Sequence, residues 1–299
     1  MSLLIVGSVA IDDIRTQEAD KKNLLGGSAS YASVAASFFC PVKMVGIVGE
    51  DFPLEYHDLY KRHKIDLEGL QIVPGKTFRW GGVYEKDMNQ RSTLFTELNV
   101  FADFSPRLPV QYQNSPYVLL ANIGPNLQLE VLKQMSRPQF VIADTMDLWI
   151  HTAREQLLEL LEQVDFLILN DSEARQLSGE HNLLAAARKL HGMGPKYVII
   201  KKGEHGSFLS SAKGMFATPA VPLEAIIDPT GAGDTFAGAL AGYLAQTGDL
   251  SFENIKQGLI EATLMSSFTV EDFSLNRLIA LTEMERKSRR QLLQSLTEW

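Results

Sequence analysis

Residues 228–239, Asp-Pro-Thr-Gly-Ala-Gly-Asp-Thr-Phe-Ala-Gly-Ala, have the types and spacing to bind an anion and to accept a proton. Gly231 and Gly233 lie where a helix is expected to begin, and without side chains they let the backbone approach an anion closely. The N–H groups at a helix start lack intrahelical acceptors and favour negative charge such as phosphate. Asp234 lies at the same helix start, where its carboxylate can accept a proton from a hydroxyl group. The segment therefore predicts phosphoryl transfer to a hydroxyl.

A capping aspartate after a glycine turn is the simpler explanation for a bare Gly-x-Gly-Asp sequence. Here the twelve residues fit a longer pattern, the C-terminal signature of the PfkB/ribokinase family of carbohydrate and nucleoside kinases. Residues 26–36, Gly-Gly-Ser-Ala-Ser-Tyr-Ala-Ser-Val-Ala-Ala, resemble the family's N-terminal signature, and residues 48–52 resemble its Val-Gly-x-Asp-x segment. The similarity runs from residue 3 to about residue 270, with both signatures in the family's order.

The resemblance implies an ATP-dependent kinase that transfers the γ-phosphoryl group to a primary hydroxyl of a small sugar or nucleoside. Asp234 would take the proton of that hydroxyl, and the backbone at Gly231, Ala232 and Gly233 would stabilise the phosphoryl charge. A nucleotide-binding or scaffold protein that keeps the fold without catalysis is the alternative. The sequence does not identify the sugar or nucleoside.

The resemblance also assigns substrate contacts. Asp12 matches the acidic residue that binds two adjacent hydroxyls, and two carboxylate oxygens suit two O–H donors; a loop aspartate beside Asp13 is the alternative. Tyr31 stands where the family commonly has an asparagine that binds substrate hydroxyls, so this contact differs here. Asn122 and Asp144 fit a substrate contact and a simple loop role equally well. The Gly26-Gly27 turn completes the substrate candidates.

A second group of residues resembles the family's nucleotide and metal contacts. Residues 170–173, Asn-Asp-Ser-Glu, match an Asn-x-x-Glu element in which Glu173 organises Mg²⁺ and Asn170 assists the phosphates. A helix cap formed by the same two residues is physically sound, and both roles can hold together.

The other nucleotide candidates lie later in the chain. Lys201 begins the segment Lys-Lys-Gly-Glu-His-Gly, which matches a family loop that covers the nucleotide, with Lys202 as a solvated alternative. Gly203, Asp228 and Thr263 complete this group. Some relatives bind a monovalent cation near the position of Asp228, and the sequence leaves that open here.

The elements that position these residues follow from hydrophobic periodicity. Continuous apolar runs predict strands at residues 3–9, 42–48, 117–121, 140–143, 166–169 and 197–200, and helical patterns lie at residues 28–39, 54–63, 126–135, 150–163 and 182–191. Ser28 can cap the first helix, a β-like run at residues 224–227 leads into the glycine segment, and residues 276–296 read as a last helix. The alternation predicts a ribokinase-like α/β fold, in which helices flank a parallel-rich central sheet.

Residues 77–84 and 91–101 break this rhythm, because they alternate β-forming and polar residues as an antiparallel hairpin does. We assign them, with residues 13–25, to a small β lid, and we divide the chain into a core (1–12, 26–72 and 102–299) and a lid (13–25 and 73–101). Aromatic lid residues favour a ring-bearing ligand such as a nucleoside. The amphipathic hairpin also suggests a homodimer formed through the lid.

Composition limits the partners. A formal net charge of −8 over 299 residues argues against a broad nucleic-acid surface, and the lone Cys40 excludes an intrachain disulfide. No apolar run reaches the roughly 20 residues that cross a bilayer. Residues 69–77 read Gly-x₅-Gly-Lys-Thr, one residue too long for a P-loop, and they precede a predicted strand instead of a helix. We therefore predict a cytoplasmic protein with a small-molecule substrate and with no nucleic-acid or membrane partner.

Overall fold

The computed structural model describes residues 2–88 and 91–298 and is built on two β-sheets. The strands in chain order are β1 (Leu3–Val6), β2 (Ala10–Arg15), β3 (Asp20–Gly26), β4 (Val42–Gly49), β5 (Ile65–Val73), β6 (Phe78–Tyr84), β7 (Arg91–Glu97), β8 (Tyr117–Leu120), β9 (Phe140–Asp144), β10 (Phe166–Asn170), β11 (Tyr197–Lys201), β12 (Ser207–Ser211) and β13 (Gly214–Thr218). Nine of them form a large sheet in the order β13-β12-β11-β10-β9-β8-β1-β4-β5. From β11 to β5 every pairing is parallel, whereas β12 and β13 are antiparallel. The parallel-rich central sheet is therefore confirmed.

Helices cover both faces of the large sheet. They are α1 (Ser28–Ser37), α2 (Leu54–Arg62), α3 (Pro125–Gln134), α4 (Asp147–Thr152), α5 (Arg154–Leu161), α6 (Asp171–Ser178), α7 (Leu183–His191), α8 (Ala232–Thr247), α9 (Phe252–Thr269), α10 (Asn276–Ile279) and α11 (Glu283–Ser295). Successive side chains of a strand point to opposite faces. Leu3 and Ile5 accordingly belong to one hydrophobic core, with α1, α8 and α9, and Leu4 and Val6 to the other. Within the described residues, no helix has the length and apolar character needed to cross a bilayer.

The second sheet has four strands in the order β3-β2-β6-β7. β6 and β7 form the expected antiparallel hairpin, β2 pairs antiparallel with β3, and β2 and β6 are parallel. The hairpin ends earlier than its pattern predicts, because residues Asn99–Asp103 form a 3₁₀ helix. Residues 69–77 lie in β5 and the turn before β6, so the rejection of a P-loop is confirmed.

Four local predictions are wrong. Ser28 does not cap α1, because Gly27 takes the cap position with φ 93° and the Ser28 hydroxyl donates to the Asn122 carbonyl. Residues 224–227 form no strand. The Ile227 amide donates to Val270 O at 2.8 Å, and Val270 belongs to neither sheet. The helices predicted at residues 150–163 and 276–296 are each two helices, α4 with α5 and α10 with α11.

Candidate active site

The glycine segment forms a tight turn that ends as α8 begins. Gly231 is the N-cap residue of α8 with φ 75°, a left-handed conformation that favours glycine. A β-carbon there would lie 2.4 Å from the ring of Tyr31. The first bond of the helix is donated by Thr235 N to Gly231 O. The amides of residues 233 and 234 therefore precede the hydrogen-bonded part of α8 and are available to an anion.

Asp234 is half-buried in the first turn of α8. Burial raises the pKa of its carboxyl to about 7, and the carboxylate of Asp144 contributes to that rise. The cations of Lys201 and Arg91 act in the opposite direction. A carboxyl with a pKa near neutrality can both accept and release a proton at physiological pH. Asp234 therefore has the acidity that a general base needs.

Lys201, the last residue of β11, places a partly buried cation against the glycine turn. Its Nζ lies 3.0 Å from the position that a β-carbon on Gly233 would take and 3.4 Å from Asp144 Oδ1. Burial by itself lowers the pKa of this amine, but nearby carboxylates outweigh burial and raise the pKa. Lys201 is therefore charged at neutral pH and lies where the glycine turn would bind an anion.

Asn170 and Glu173 form a capping box at the start of α6. Glu173 N donates to Asn170 Oδ1 at 2.8 Å, and Asn170 N donates to Glu173 Oε2 at 2.6 Å. The capping explanation is confirmed. Burial raises the pKa of Glu173 to about 7, although Lys201 and the Asn170 amide oppose the rise. Glu173 therefore remains able to meet a cation with its other oxygen.

The residues described around Glu173 suit an ion that is shared with a nucleotide. No three His, Cys, Asp or Glu side chains converge as a metal site anywhere in residues 2–88 and 91–298. Mg²⁺ is commonly held by one or two carboxylates, water and substrate phosphates, so a single glutamate beside an anion-binding turn fits it.

Asp12 lies on β2 with its carboxylate against Gly26. A β-carbon at Gly26 would come within 1.9 Å of Asp12 Oδ2, so glycine is required for the carboxylate to lie there. Burial raises the pKa of Asp12 well above its usual range, and the charges of Asp228 and Asp234 raise it further. Oδ1 is buried without a hydrogen-bond partner among the described residues. An unsatisfied buried oxygen is costly, and a ligand hydroxyl would satisfy it.

Gly27 and Tyr31 form the side of the site next to Asp12. A β-carbon at Gly27 would lie 2.4 Å from Ser8 O, which explains the second glycine of the pair. The Tyr31 side chain is 2% exposed, and its ring covers Gly231. A buried aromatic ring therefore lies where the family commonly has an amide.

Asn122 follows β8 and is held on two sides. Its backbone oxygen accepts from the Ser28 hydroxyl at 3.1 Å, and its Oδ1 accepts from Trp149 Nε1 at 2.9 Å. An indole N–H can only donate, so the orientation of the Asn122 amide is fixed. Its NH₂ group is the part left to bind an acceptor atom.

Asp228, Thr263 and Gly203 lie in different surroundings. The Asp228 carboxylate is buried and accepts from Thr230 N at 2.9 Å and Ser274 N at 3.2 Å, so it ties the glycine turn to the loop after α9. Thr263, on α9, has a buried Oγ1 with no partner among the described residues. Gly203 begins a 3₁₀ turn after β11 with φ 54°.

Sequence reasoning missed two residues near the site, Trp149 and Arg91, and counted a third, Tyr84, only among the aromatic lid residues. Trp149 fixes the orientation of the Asn122 amide. Tyr84 accepts a hydrogen bond from the Thr230 hydroxyl at 3.0 Å, and the charge of Arg91 lowers the pKa of Asp234. Each comes from a segment distant in sequence from its partner. In the sequence, the only signal for each of them was an aromatic or charged residue at the edge of a predicted element.

Comparisons with known proteins identify similar sequences and folds. The cytidine kinase of Thermococcus kodakarensis is 32% identical over 251 residues, which are 81% of this chain and 88% of that protein. The crystal structure of Methanocaldococcus jannaschii nucleoside kinase, a ribokinase-family member, matches with a TM-score of 0.78 at 20% identity and covers 97% of this chain and 98% of that one. Arabidopsis thaliana ribokinase in complex with ribose and ATP matches with a TM-score of 0.75 at 25% identity, over 97% and 98% of the two chains.

The ribokinase-like fold is therefore confirmed. The pfkB carbohydrate kinase family matches residues 2–258, a stretch that contains both glycine signatures together with Asp12, Glu173, Lys201 and Asp234. Because that match spans most of the 299 residues, this chain belongs to the PfkB family of carbohydrate kinases.

Proposed function

We propose that the protein is an ATP-dependent kinase that phosphorylates the primary hydroxyl of a nucleoside. One observation carries the proposal. Asp12 has a buried oxygen with no hydrogen-bond partner among the described residues, and its carboxylate interacts electrostatically with that of Asp234. Lys201 places a positive charge beside the helix start to which Asp234 belongs. Such a cluster can bind a polyhydroxylated acceptor beside a phosphoryl group. A scaffold protein would have no need to maintain these unsatisfied and charged groups, whose burial is costly.

Cytidine is the first nucleoside to test. The similarity to the Thermococcus kodakarensis cytidine kinase covers most of both chains, and the Tyr31 ring offers an aromatic wall where the sugar-binding amide is absent. In this proposal the Asp12 carboxylate accepts from the two neighbouring ribose hydroxyls, and the Asn122 NH₂ group donates to an acceptor atom of the nucleoside.

The remaining residues act on the phosphoryl group. Lys201 and the amides of residues 233 and 234 balance the charge on its oxygens, which matters most in the loose transition state of phosphoryl transfer. Asp234 accepts the proton of the attacking hydroxyl. Glu173 and Asn170 face the phosphates, Thr263 and Gly203 the rest of the nucleotide. Mg²⁺, held by Glu173 and the phosphates, would supply further charge neutralisation.

A coupled assay of ADP release tests this function with ATP, Mg²⁺ and a panel of nucleosides and free sugars. We expect turnover with cytidine or a related nucleoside, and little with ribose alone. Asp234→Asn should lose about 10² to 10⁴ in kcat, the usual contribution of a general base, while still binding ATP. If the wild type binds ATP but phosphorylates nothing in the panel, the protein is a silent member of the family. Normal turnover by Asp234→Asn would remove Asp234 from the mechanism.

Two further proposals concern the surroundings of the site. A monovalent cation could bind near Asp228, because each oxygen of its carboxylate accepts one amide hydrogen and keeps a second lone pair. Turnover compared in potassium and tetramethylammonium buffers tests this proposal. A homodimer through the lid is consistent with two exposed apolar residues, Leu94 in β7 (51% exposed) and Leu98 just after it (46%). Light scattering that shows only the monomer mass would exclude the dimer.

A further inference from the structure

Arg91 begins β7 in the small sheet and is the cross-strand partner of Tyr84. Its guanidinium lies over the ring of Trp80, with Cζ 5.5 Å from the ring centroid. A planar guanidinium stacks well on an aromatic face. Arg91 is exposed, and the stacking holds its cation along the hairpin.

The end of the hairpin that carries Arg91 is attached to the glycine turn. The hydroxyl of Thr230, inside the turn, donates to the buried hydroxyl of Tyr84 at 3.0 Å. Because Arg91 pairs with Tyr84, this hydrogen bond also brings the Arg91 end of the hairpin to the turn.

Arg91 differs from the other arginines of the small sheet in its charge partners. Arg15 is paired with Asp20 at 2.9 Å, and Arg79 with Asp13 at 3.2 Å. For Arg91, no carboxylate of the described residues lies at ion-pair distance. Its charge nevertheless lowers the pKa of both Asp12 and Asp234, against the larger effect of burial. The charge of Arg91 thus acts on the site, and none of the carboxylates that the structure describes forms an ion pair with it.

The negative charge of the site would be balanced better by a second cation than by Lys201 alone. Lys201 is surrounded by the carboxylates of Asp144, Glu173 and Asp234, and a nucleotide would add several negative charges. Phosphoryl transfer spreads charge over three equatorial oxygens, and an arginine suits them because its donors are arranged as a planar fork.

We propose that Arg91 is a catalytic residue that binds the transferring phosphoryl group together with Lys201. The inference rests on the proposed kinase function. In the step itself, the bond from the β,γ-bridging oxygen to the γ-phosphorus breaks, a bond from the acceptor oxygen to phosphorus forms, Asp234 takes the acceptor's proton, and ADP leaves. Arg91 keeps its protons throughout and contributes charge and hydrogen bonds.

The test compares Arg91→Ala and Arg91→Lys with the matched control Arg15→Ala, which removes an exposed arginine from the same sheet. We expect Arg91→Ala to lower kcat by about 10²- to 10³-fold, somewhat less than the 10³ to 10⁵ seen for arginines supplied to GTPases, with a nucleoside KM within threefold of wild type. Arg91→Lys should keep an intermediate kcat, because lysine carries the charge without the fork. Arg15→Ala should match the wild type.

Rescue by free guanidinium separates a catalytic role from a structural one. Millimolar guanidinium should restore part of the turnover of Arg91→Ala and leave Asp234→Asn unchanged. An unchanged kcat in Arg91→Ala, a loss that guanidinium does not restore, or a loss confined to nucleoside KM would each overturn the proposal. The wild type and Arg15→Ala report on the kinase function separately: if neither turns over a nucleoside, the proposed function fails and this inference fails with it.

Discussion

At the scale of single residues, the site keeps several carboxyl groups that are less acidic than usual. Burial raises the pKa of Asp234 and of Glu173 to about 7, and that of Asp12 well above its usual range. Burying a carboxylate without a full set of partners costs folding free energy. A bound nucleotide, cation or hydroxylated substrate would remove part of that cost, so the unfavourable charges are features that ligands satisfy.

The free-energy cost of burying the ionised Asp234 carboxylate predicts that Asp234→Asn is more stable than the wild type, by an amount that depends on pH. Its pKa in the folded protein lies above the unfolded value of 3.8, so the folded state binds more protons between about pH 4 and pH 7, and its contribution to stability falls as pH rises through that window. Asp234→Asn removes this penalty. We expect the variant to be more stable than the wild type by on the order of 1 to 2 kcal/mol at pH 8, with a smaller gain at pH 5.

Thermal unfolding at both pH values measures the effect. Asp58→Asn, at an exposed carboxylate of α2, serves as the control and should change stability little at either pH. A gain in Asp234→Asn that was equal at pH 5 and pH 8 would contradict the raised pKa.

Gly231→Ala tests whether the turn depends on its contact with Tyr31. The new β-carbon would meet the Tyr31 ring at 2.4 Å and the backbone would keep a positive φ. We expect activity to be lost and stability to fall by more than about 2 kcal/mol, the sum of a left-handed backbone cost of about 1 to 2 kcal/mol and overpacking of about 1 to 3 kcal/mol.

Gly248→Ala is the matched control for that substitution, because Gly248 ends the same helix with φ 65° and has open space around its α-carbon. It should show the backbone cost alone and keep activity. Equal losses of stability in the two variants would mean that the Tyr31 contact adds nothing.

At the scale of elements, the site is assembled where strands end and helices begin. Lys201 ends β11, Asp144 ends β9, Asn170 caps α6 and Asp234 lies in the first turn of α8. In parallel sheets these ends meet along one edge, which is where α/β proteins bind ligands. The residues of the site therefore come together because the strands are parallel.

The sequence predicted the buried strands well and the edge strands poorly. β1, β8 and β10 are continuous apolar runs covered by helices on both faces, so their composition alone marks them. β5 and β13 lie at the two edges of the large sheet and have mixed polar and apolar residues. The β-like run at residues 224–227 failed in the opposite way, because it has no strand partner and its Ile227 amide donates to Val270 O at the end of α9.

The same contrast holds for the site. Asp234 was predicted from its place at a glycine-rich helix start, and Asp12, Glu173 and Lys201 were predicted from their resemblance to local motifs of the family. Contacts between distant segments, such as Tyr84 with Thr230 and Trp149 with Asn122, depend on tertiary packing and leave no local pattern. Resemblance to a family could not supply them either, because the lid lies outside both signatures.

Glu173→Gln separates the capping role of this residue from its proposed metal role. Glutamine also serves at the third position of a capping box, so α6 should remain intact and the melting temperature should not fall. The loss of charge should raise the Mg²⁺ concentration needed for half-maximal turnover by about tenfold, on the scale of one lost charge contact of about 1.4 kcal/mol.

A magnesium titration of the turnover rate measures this change, and circular dichroism checks the helix. The matched control is Glu155→Gln, an exposed glutamate in the first turn of α5, which should leave the magnesium dependence unaltered. An unchanged magnesium dependence in Glu173→Gln would assign the residue to capping alone.

At the scale of the whole molecule, the site lies between two separately built parts. Asp12 belongs to the small sheet through β2, whereas Asp234 and Lys201 belong to elements packed on the large sheet. Several contacts join these parts, among them the hydrogen bond between Tyr84 and Thr230 and the one that the Tyr56 hydroxyl donates to Asn23 O. A nucleoside held by Asp12 with its primary hydroxyl at Asp234 would add a further link, so substrate binding should stabilise the entire fold.

Asp12→Asn tests that link. A ligand at 100 times its Kd stabilises a protein by about 2.7 kcal/mol, and the wild type should show such a gain with the nucleoside. Asn offers one oxygen acceptor where Asp offers two, so the variant should lose most of the nucleoside's stabilising effect and keep that of ATP. Asp13→Asn is the control, because Asp13 pairs with Arg79 within the small sheet. If the nucleoside stabilised Asp12→Asn as much as the wild type, the acceptor would have to bind elsewhere, and the two sheets would not be coupled through Asp12.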